Sequence, residues 1–271
     1  MRRNSMKRKI RRFLAVLLST AMCLFLVACG DEVVITEDNT QNAQVTEVTE
    51  QQEPASEVQE EDGSWAVYWY LCGSDLETNG GFATTDLDEM LQVDLPENVN
   101  VVIQTGGAAV WQNEYMDPAK IQRWLYNSEG LQLLEEQDTA NMGEAQTLYE
   151  FLAFANENYP ADKVAVTFWN HGGGSVNGAA FDEIYGYDSL DLSEMYQAFD
   201  AVWPADTDNP SLELVGFDTC LMATIDVAAV FQNFAKYLVA SEEVEPGNGW
   251  YYTGWLGACL LYTSPSPRDC S

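Results

Sequence analysis

Basic side chains are scarce in most of this chain. Of its 12 Lys and Arg residues, seven lie within the first 12 positions. The other five are Lys120, Arg123, Lys163, Lys236 and Arg268. Against them stand 43 Asp and Glu residues, none of which precedes Asp31. A chain with this much negative charge after residue 30 repels nucleic acid and anionic lipid and attracts cationic substrates. The charge therefore excludes nucleic acid as a partner, but it does not identify a particular partner.

Histidine is scarcer still, because His171 is the only one in the sequence. Any reaction that needs an imidazole must therefore use this side chain. The six cysteines include no Cys-x-x-Cys pair, and no His-rich segment accompanies them. The sequence therefore lacks the ligand spacing of a zinc site, and we predict no metal of that kind.

The first 29 residues have the three parts of a bacterial lipoprotein signal peptide. A basic stretch precedes an almost wholly apolar run over residues 13–27, which is shorter than the roughly 18 to 20 residues that span a bilayer. A small residue then precedes Cys29, which resembles a lipobox, where the cysteine is lipidated and becomes the mature N-terminus. We predict an exported protein, anchored by lipid at Cys29 to the extracytoplasmic side of the bacterial membrane. The alternative is an ordinary secretory signal in which Cys29 has no role.

Residues 30–63 differ in composition from the rest of the chain. They are rich in Glu, Gln, Thr and Val and contain no Lys, no Arg and no aromatic residue. Such a segment cannot bury enough apolar surface to offset the entropy of ordering it. We therefore expect an acidic, disordered tether, which like charges keep extended between the anchor and the next domain.

Residues 64–257 have the alternating pattern of an α/β domain. Apolar runs bounded by turn residues predict strands at 65–71, 99–105, 163–169, 212–217 and 237–240. Residues 120–126 alternate polar and apolar side chains and predict an edge or hairpin strand. Helical spacing and stop signals predict helices over 143–159, 192–202 and 221–235. Strands that are apolar on both faces and alternate with helices indicate a mostly parallel central sheet in an α/β sandwich.

Two of these strands end in residues that carry chemistry. His171 follows strand 163–169 and precedes three glycines, which let backbone N–H groups approach a bound group closely. Cys220 follows strand 212–217 and precedes the third predicted helix, whose N-terminus favours the nucleophilic thiolate. The pair predicts a cysteine nucleophile with a histidine acid–base partner, and the backbone N–H groups of Gly172 and Cys220 as oxyanion donors. The alternative is a buried thiol and an unrelated loop imidazole.

The sequence around this pair resembles the clostripain family of cysteine peptidases, within the caspase-like clan. The strings are Asn-His-Gly-Gly-Gly at 170–174 and Gly-Phe-Asp-Thr-Cys-Leu-Met-Ala at 216–223. The likeness extends from about Trp65 to Trp255. It implies a three-layer α/β/α caspase-like fold and cleavage of protein or peptide substrates after Arg or Lys.

Cleavage after a cation requires an anion in the specificity pocket. The resemblance places Asp218, two residues before the nucleophile, in that position, whereas the residues alone leave open a carboxylate that caps the following helix. A second pocket residue is expected among Glu242, Glu243 and Asn248, and the sequence does not choose between them.

Calcium is the one cofactor that the resemblance suggests, because some family members need it. Asp182 and Glu183, which follow the glycine-rich loop, are the candidates for binding it. A solvated pair of loop carboxylates is the alternative reading of these two residues.

The chain departs from the family in two places. Some members activate by cutting themselves after a basic residue between His and Cys, but residues 164–235 contain no Lys or Arg, so we predict a chain that stays uncut there. Residues 258–271, which include Ser-Pro-Ser-Pro, do not continue the α/β pattern. We expect them to be an artefactual tail on a peptidase domain that is truncated at its C-terminus, with an incomplete sheet.

Two other functions fit parts of the pattern. One is a catalytically inactive, lipid-anchored binding or adhesion protein on a caspase-like scaffold, and the presence of both His171 and Cys220 speaks against it. The other is a caspase-like peptidase with acidic specificity. Asp218 and the scarcity of basic side chains speak against that alternative.

Overall fold

A computed structural model describes residues 63–261 of the chain. The predicted signal peptide with Cys29, the predicted tether up to residue 62, and residues 262–271 lie outside this range. Within the range, no helix is long and apolar enough to cross a membrane.

The central element is a seven-stranded sheet with the strand order β4-β3-β2-β1-β5-β8-β9. The described strands are β1 (Trp65–Cys72), β2 (Val99–Gly106), β3 (Lys120–Asn127), β4 (Gly130–Asp138), β5 (Lys163–Trp169), β6 (Ala179–Asp182), β7 (Asp188–Leu190), β8 (Leu212–Asp218) and β9 (Ala235–Val239). Strands β2, β1, β5, β8 and β9 are parallel, whereas β3 and β4 form an antiparallel hairpin at one edge. Strands β6 and β7 form a separate small hairpin. The predicted mostly parallel sheet is therefore confirmed.

Helices cover both faces of the sheet. They are α1 (Ser74–Gly80), α2 (Phe82–Met90), α3 (Ala145–Asn158), α4 (Gly174–Asn177), α5 (Leu192–Val202), α6 (Ile225–Phe231) and α7 (Tyr252–Leu261). Alternate β1 side chains enter different cores, with Tyr68 and Tyr70 on one face and Trp69 on the other. The first core packs under α3, α5 and α6, and the second under α2 and α7. This confirms the three-layer α/β/α architecture, because a sheet buried on both faces needs a helical layer on each side.

The six predicted strands and the first two predicted helices are present, with ends shifted by at most about two residues. The strand at 120–126 is the inner strand of the edge hairpin, and its partner β4 was not predicted because most of its side chains are half-buried or exposed. Helix α7 crosses residue 257, where we placed the end of the peptidase domain.

The prediction of a helix over residues 221–235 was wrong at its start. The helix begins at Ile225 and is capped by Thr224, whose hydroxyl oxygen accepts the Val227 N–H at 3.2 Å. Leu221 has a φ of 64°, a left-handed conformation that no helix contains. Cys220 therefore does not lie at a helix N-terminus, and the thiolate argument from the helix dipole does not apply. Asp218 does not cap this helix either.

Candidate active site

Three neighbouring parallel strands end level at one edge of the sheet. Leu71 of β1 pairs with Trp169 of β5, and Trp169 pairs in turn with Asp218 of β8. The residues just beyond these ends come to the same edge, as the carboxyl ends of parallel strands do in open α/β sheets. This register brings together Asp75, His171 and Cys220.

Asp75 is the partner of the only histidine. His171 Nε2 lies 2.8 Å from Asp75 Oδ1, and both side chains are partly exposed. This contact occupies Nε2 as a donor and leaves Nδ1 for chemistry with a second group. Asp75 was not selected from the sequence. The signal was present, because Asp75 follows a strand end as His171 and Cys220 do.

The loops that carry His171 and Cys220 touch through their backbones. A Cβ atom at Gly172 would overlap the carbonyl oxygen of Cys220 and would lie 2.7 Å from Thr219 Oγ1, so only glycine fits there. The buried Asn170, next to His171, holds the histidine loop in place through two hydrogen bonds. Its side-chain amide donates to the Cys72 carbonyl oxygen at 2.9 Å and accepts the Phe181 N–H at 2.8 Å.

The Cys220 thiol faces a third loop, which comes after β9. Its Sγ accepts the Glu245 backbone N–H at 3.3 Å, while the Leu221 N–H donates to the Glu243 carbonyl oxygen at 3.0 Å. Within residues 63–261, no hydrogen bond joins the His171 ring to Sγ. Such catalytic contacts are often long without substrate and shorten in the complex.

Within residues 63–261, the two predicted oxyanion donors have no protein partner. Among the described residues, neither the Gly172 N–H nor the Cys220 N–H donates to a protein acceptor. Because the two loops touch, these donors lie in one region beside the thiol. An N–H group with no protein acceptor next to a nucleophile can receive an oxygen that becomes negative.

Asp218 lies buried behind the nucleophile. Its Oδ1 accepts the Trp250 N–H at 3.1 Å, and its Oδ2 accepts the Tyr252 hydroxyl at 2.9 Å. Burial raises the pKa of Asp218, and these two hydrogen bonds oppose the rise. Burial, followed by the nearby Asp218 carboxyl, raises the pKa of Glu245 to about 7.

The other three candidates for the pocket lie elsewhere on the same loop. Glu242, Glu243 and Asn248 are exposed. Glu245 is the residue that the structure brings to Asp218, although sequence reasoning did not select it. It lies in the string Glu-Pro-Gly-Asn-Gly-Trp at 245–250, which is part of the resemblance to the clostripain family.

Comparison with known proteins fits this geometry. The sequence profile of the clostripain family matches residues 69–268, well over half of the chain. The chain belongs to the clostripain family.

Each individual relative matches only part of this chain, and this chain matches only part of each relative. The chain is 32% identical to clostripain of Hathewaya histolytica over 125 residues, which is 42% of this chain and 24% of that protein. A secreted C11 cysteine protease from Bacteroides thetaiotaomicron, solved with an irreversible peptide inhibitor, matches with a TM-score of 0.58 and 23% identity, over 76% of this chain and 55% of that one. An inactive zymogen C11 protease from Parabacteroides distasonis matches with a TM-score of 0.55 and 18% identity, over 72% and 53%. The chain thus spans about a quarter of the curated relative and about half of the solved structures, which share its fold.

The two calcium candidates, Asp182 and Glu183, accept hydrogen bonds from neighbouring loops in this clostripain-family chain. Asp182 Oδ2 accepts the Met142 N–H at 2.9 Å, and Oδ1 accepts the Ile184 N–H at 2.9 Å. Glu183 Oε1 accepts the Ala109 N–H at 2.7 Å. Within the described residues no three His, Cys, Asp or Glu side chains are grouped to hold a metal. These bonds tie the two carboxylates to neighbouring loops, and calcium binding at Asp182 and Glu183 stays a prediction.

Proposed function

We propose that the protein is a cysteine endopeptidase that hydrolyses peptide bonds after Arg or Lys. The main support for this proposal is that the neighbouring parallel strands β1, β5 and β8 end at the same level of the sheet. That ending places Cys220 beside the His171 loop, and Asp75 holds the histidine. Membership of the clostripain family supports the same chemistry.

The geometry suggests a two-step reaction. The Cys220 thiolate attacks the peptide carbonyl carbon, and the Gly172 and Cys220 N–H groups stabilise the oxyanion. His171, as the imidazolium, gives its proton to the leaving amine, and the C–N bond breaks to leave a thioester. His171 then takes a proton from water, and the hydroxide attacks the thioester. The C–S bond breaks, the Cys220 thiolate is released, and the new carboxylic acid loses its proton to solvent. Asp75 keeps the imidazole oriented through both steps.

Asp218 supplies the negative charge that would select a basic side chain. It is a buried carboxylate two residues before the nucleophile, and the cation of Arg or Lys can pair with it where solvent screening is weak. The two basic substrate side chains differ in shape, and nothing in the pocket residues argues for one over the other.

Turnover of four reporter peptides tests the specificity proposal. Peptides that end in Arg or Lys before the reporter should be cleaved, whereas those that end in Asp or Ala should not. Asp218→Asn should lower kcat/KM for the Arg and Lys peptides by about 100-fold, because a hydrogen bond to a charged group contributes about 1.5 to 3 kcal/mol. Asp94→Asn is the matched control, since Asp94 is exposed and precedes β2 at the opposite edge of the sheet. Equal cleavage of the Ala peptide, or no loss in Asp218→Asn, would contradict the proposal.

We further propose that the enzyme acts outside the cytoplasm, anchored by lipid on Cys29. The basic stretch, the apolar run and the small residue before Cys29 support this placement. One of the similar solved proteins is described as secreted. An anchor and an acidic tether would leave the peptidase domain facing protein substrates in the surroundings of the cell.

A further inference from the structure

Glu245 contacts the nucleophile through its backbone, and its side chain lies beside Asp218. Its backbone N–H donates to Cys220 Sγ at 3.3 Å. Its carboxyl lies beside that of Asp218, close enough for each to shift the pKa of the other. The Oε2 atom is buried and receives no hydrogen from any donor among the described residues. Two carboxylates in contact repel each other unless one carries a proton, so in the free protein this pair shares a proton.

The described groups around Asp218 and Glu245 add negative charge and no positive charge. The titratable groups near the pair are Tyr252 on α7, Asp86 and Glu89 on α2, and the Cys220 thiol beside the Glu245 backbone. Asp86 is fully buried; its Oδ2 accepts the Trp169 indole N–H at 2.6 Å, while its Oδ1 has no partner.

None of these acids has a basic partner within residues 63–261. The described ion pairs of Lys and Arg are Lys120–Asp138, Arg123–Glu135 and Lys236–Glu213. Lys163 lies over the ring of Trp65. Buried charges are normally paired with an opposite charge. Asp218 and Glu245 lie next to the nucleophile and have no basic partner among the described residues, which indicates that the substrate supplies the cation.

We propose that Glu245 is the second carboxylate of the specificity pocket, and that it loses its shared proton to water when the cation of a substrate Arg or Lys enters. This inference rests on the proposed function, because it assigns a residue to the pocket of that reaction. A cation between the two carboxylates lowers the free energy of the state in which both are ionised. No bond other than the carboxyl O–H breaks in this step.

The proton makes selection of basic substrates depend on pH. Burial and the Asp218 carboxyl raise the pKa of Glu245 to about 7. Below that pH the pair holds its proton, and binding of a cation must displace it. We therefore expect KM for an Arg peptide to rise by about tenfold for each pH unit below about 7, and to level off above it. A peptide with neutral citrulline in place of Arg should show no such dependence.

The decisive comparison is Glu245→Gln against the wild-type full chain, with Arg and citrulline peptides between about pH 5.5 and 8.5. Glu245→Gln should raise KM for Arg at pH 8 by about 10- to 100-fold and abolish its pH dependence. Alkylation of Cys220 by neutral iodoacetamide should stay within about threefold of wild type, because the backbone N–H contact survives. Glu245→Asp should recover part of the Arg preference. Glu97→Gln is the matched control, since Glu97 is exposed and precedes β2 at the opposite edge.

A wild-type KM and pH profile in Glu245→Gln would overturn the inference while leaving the proposed function intact. A wild-type enzyme with no preference for Arg over citrulline would instead refute the proposed function, and this inference with it. Calorimetry of argininamide binding to the wild-type protein at pH 6, in buffers of different ionisation enthalpy, counts the protons released on binding and requires no variant. Release of close to one proton is expected, and release of none would overturn the inference.

Discussion

Cys220→Ala should lower kcat/KM for an Arg peptide by about 10⁵-fold or more. A peptidase that forms a covalent thioester loses its chemical step with its nucleophile, and only binding and oxyanion stabilisation remain. No second described thiol can substitute. Cys72 is fully buried at the end of β1, and burial raises the pKa of its thiol well above the usual value, so it stays protonated. Steady-state turnover by the two proteins, prepared in parallel, provides the measurement.

Cys72→Ala is the matched control for this loss. It removes the other described thiol but leaves the Cys72 carbonyl oxygen, which accepts the Asn170 amide. We expect turnover within about threefold of wild type and a lower melting temperature, because a buried side chain is shortened. Retention of more than about 1% of wild-type turnover in Cys220→Ala would place the nucleophile elsewhere.

Asp75→Asn should lower kcat by about 100-fold with KM changed by less than about threefold. The carboxylate accepts the His171 Nε2–H and orients the ring that protonates the leaving amine. An amide at the same place has the same shape but no charge, and it can orient the ring wrongly. Loss of a buried orienting carboxylate in a triad costs about 10⁴-fold, and we expect less here because both side chains are partly exposed.

Separate kcat and KM values for Asp75→Asn, Asp75→Glu and Asp88→Asn measure this role. Asp75→Glu should restore part of kcat, because a carboxylate is again present near the ring. Asp88 is an exposed acid on α2, and its substitution should leave both constants unchanged. If Asp75→Asn changed only KM, or neither constant, Asp75 would not act through His171.

Much of this site could be predicted from the sequence, because its main residues adjoin strands with a strong local signal. The apolar runs at 163–169 and 212–217 indicate buried parallel strands, and His171 and Cys220 come directly after their ends. Asp75 obeys the same rule. It was missed because a carboxylate near a turn is common, and only its 2.8 Å contact with His171 gives it a role.

The parts that could not be predicted depend on contacts between distant segments. The helix at 221–235 was placed too early because the apolar residues Leu221 and Met222 fit helical spacing. The backbone there instead pairs with the loop after β9, through the Leu221 and Ala223 N–H groups. The partners of Asp218 likewise come from residues 245–252, and no local pattern connects them with β8.

Covalent labelling of the full chain tests both the identity of the nucleophile and the charge of the specificity pocket. A peptidyl electrophile with Arg at its reactive end, and a matched one with Asp, are incubated with the protein before mass spectrometry of its peptides. We expect the Arg probe to label Cys220 alone, the Asp probe to label nothing, and His171→Ala to slow labelling by about 100-fold or more. Equal labelling by both probes, or labelling of another residue in place of Cys220, would contradict these expectations.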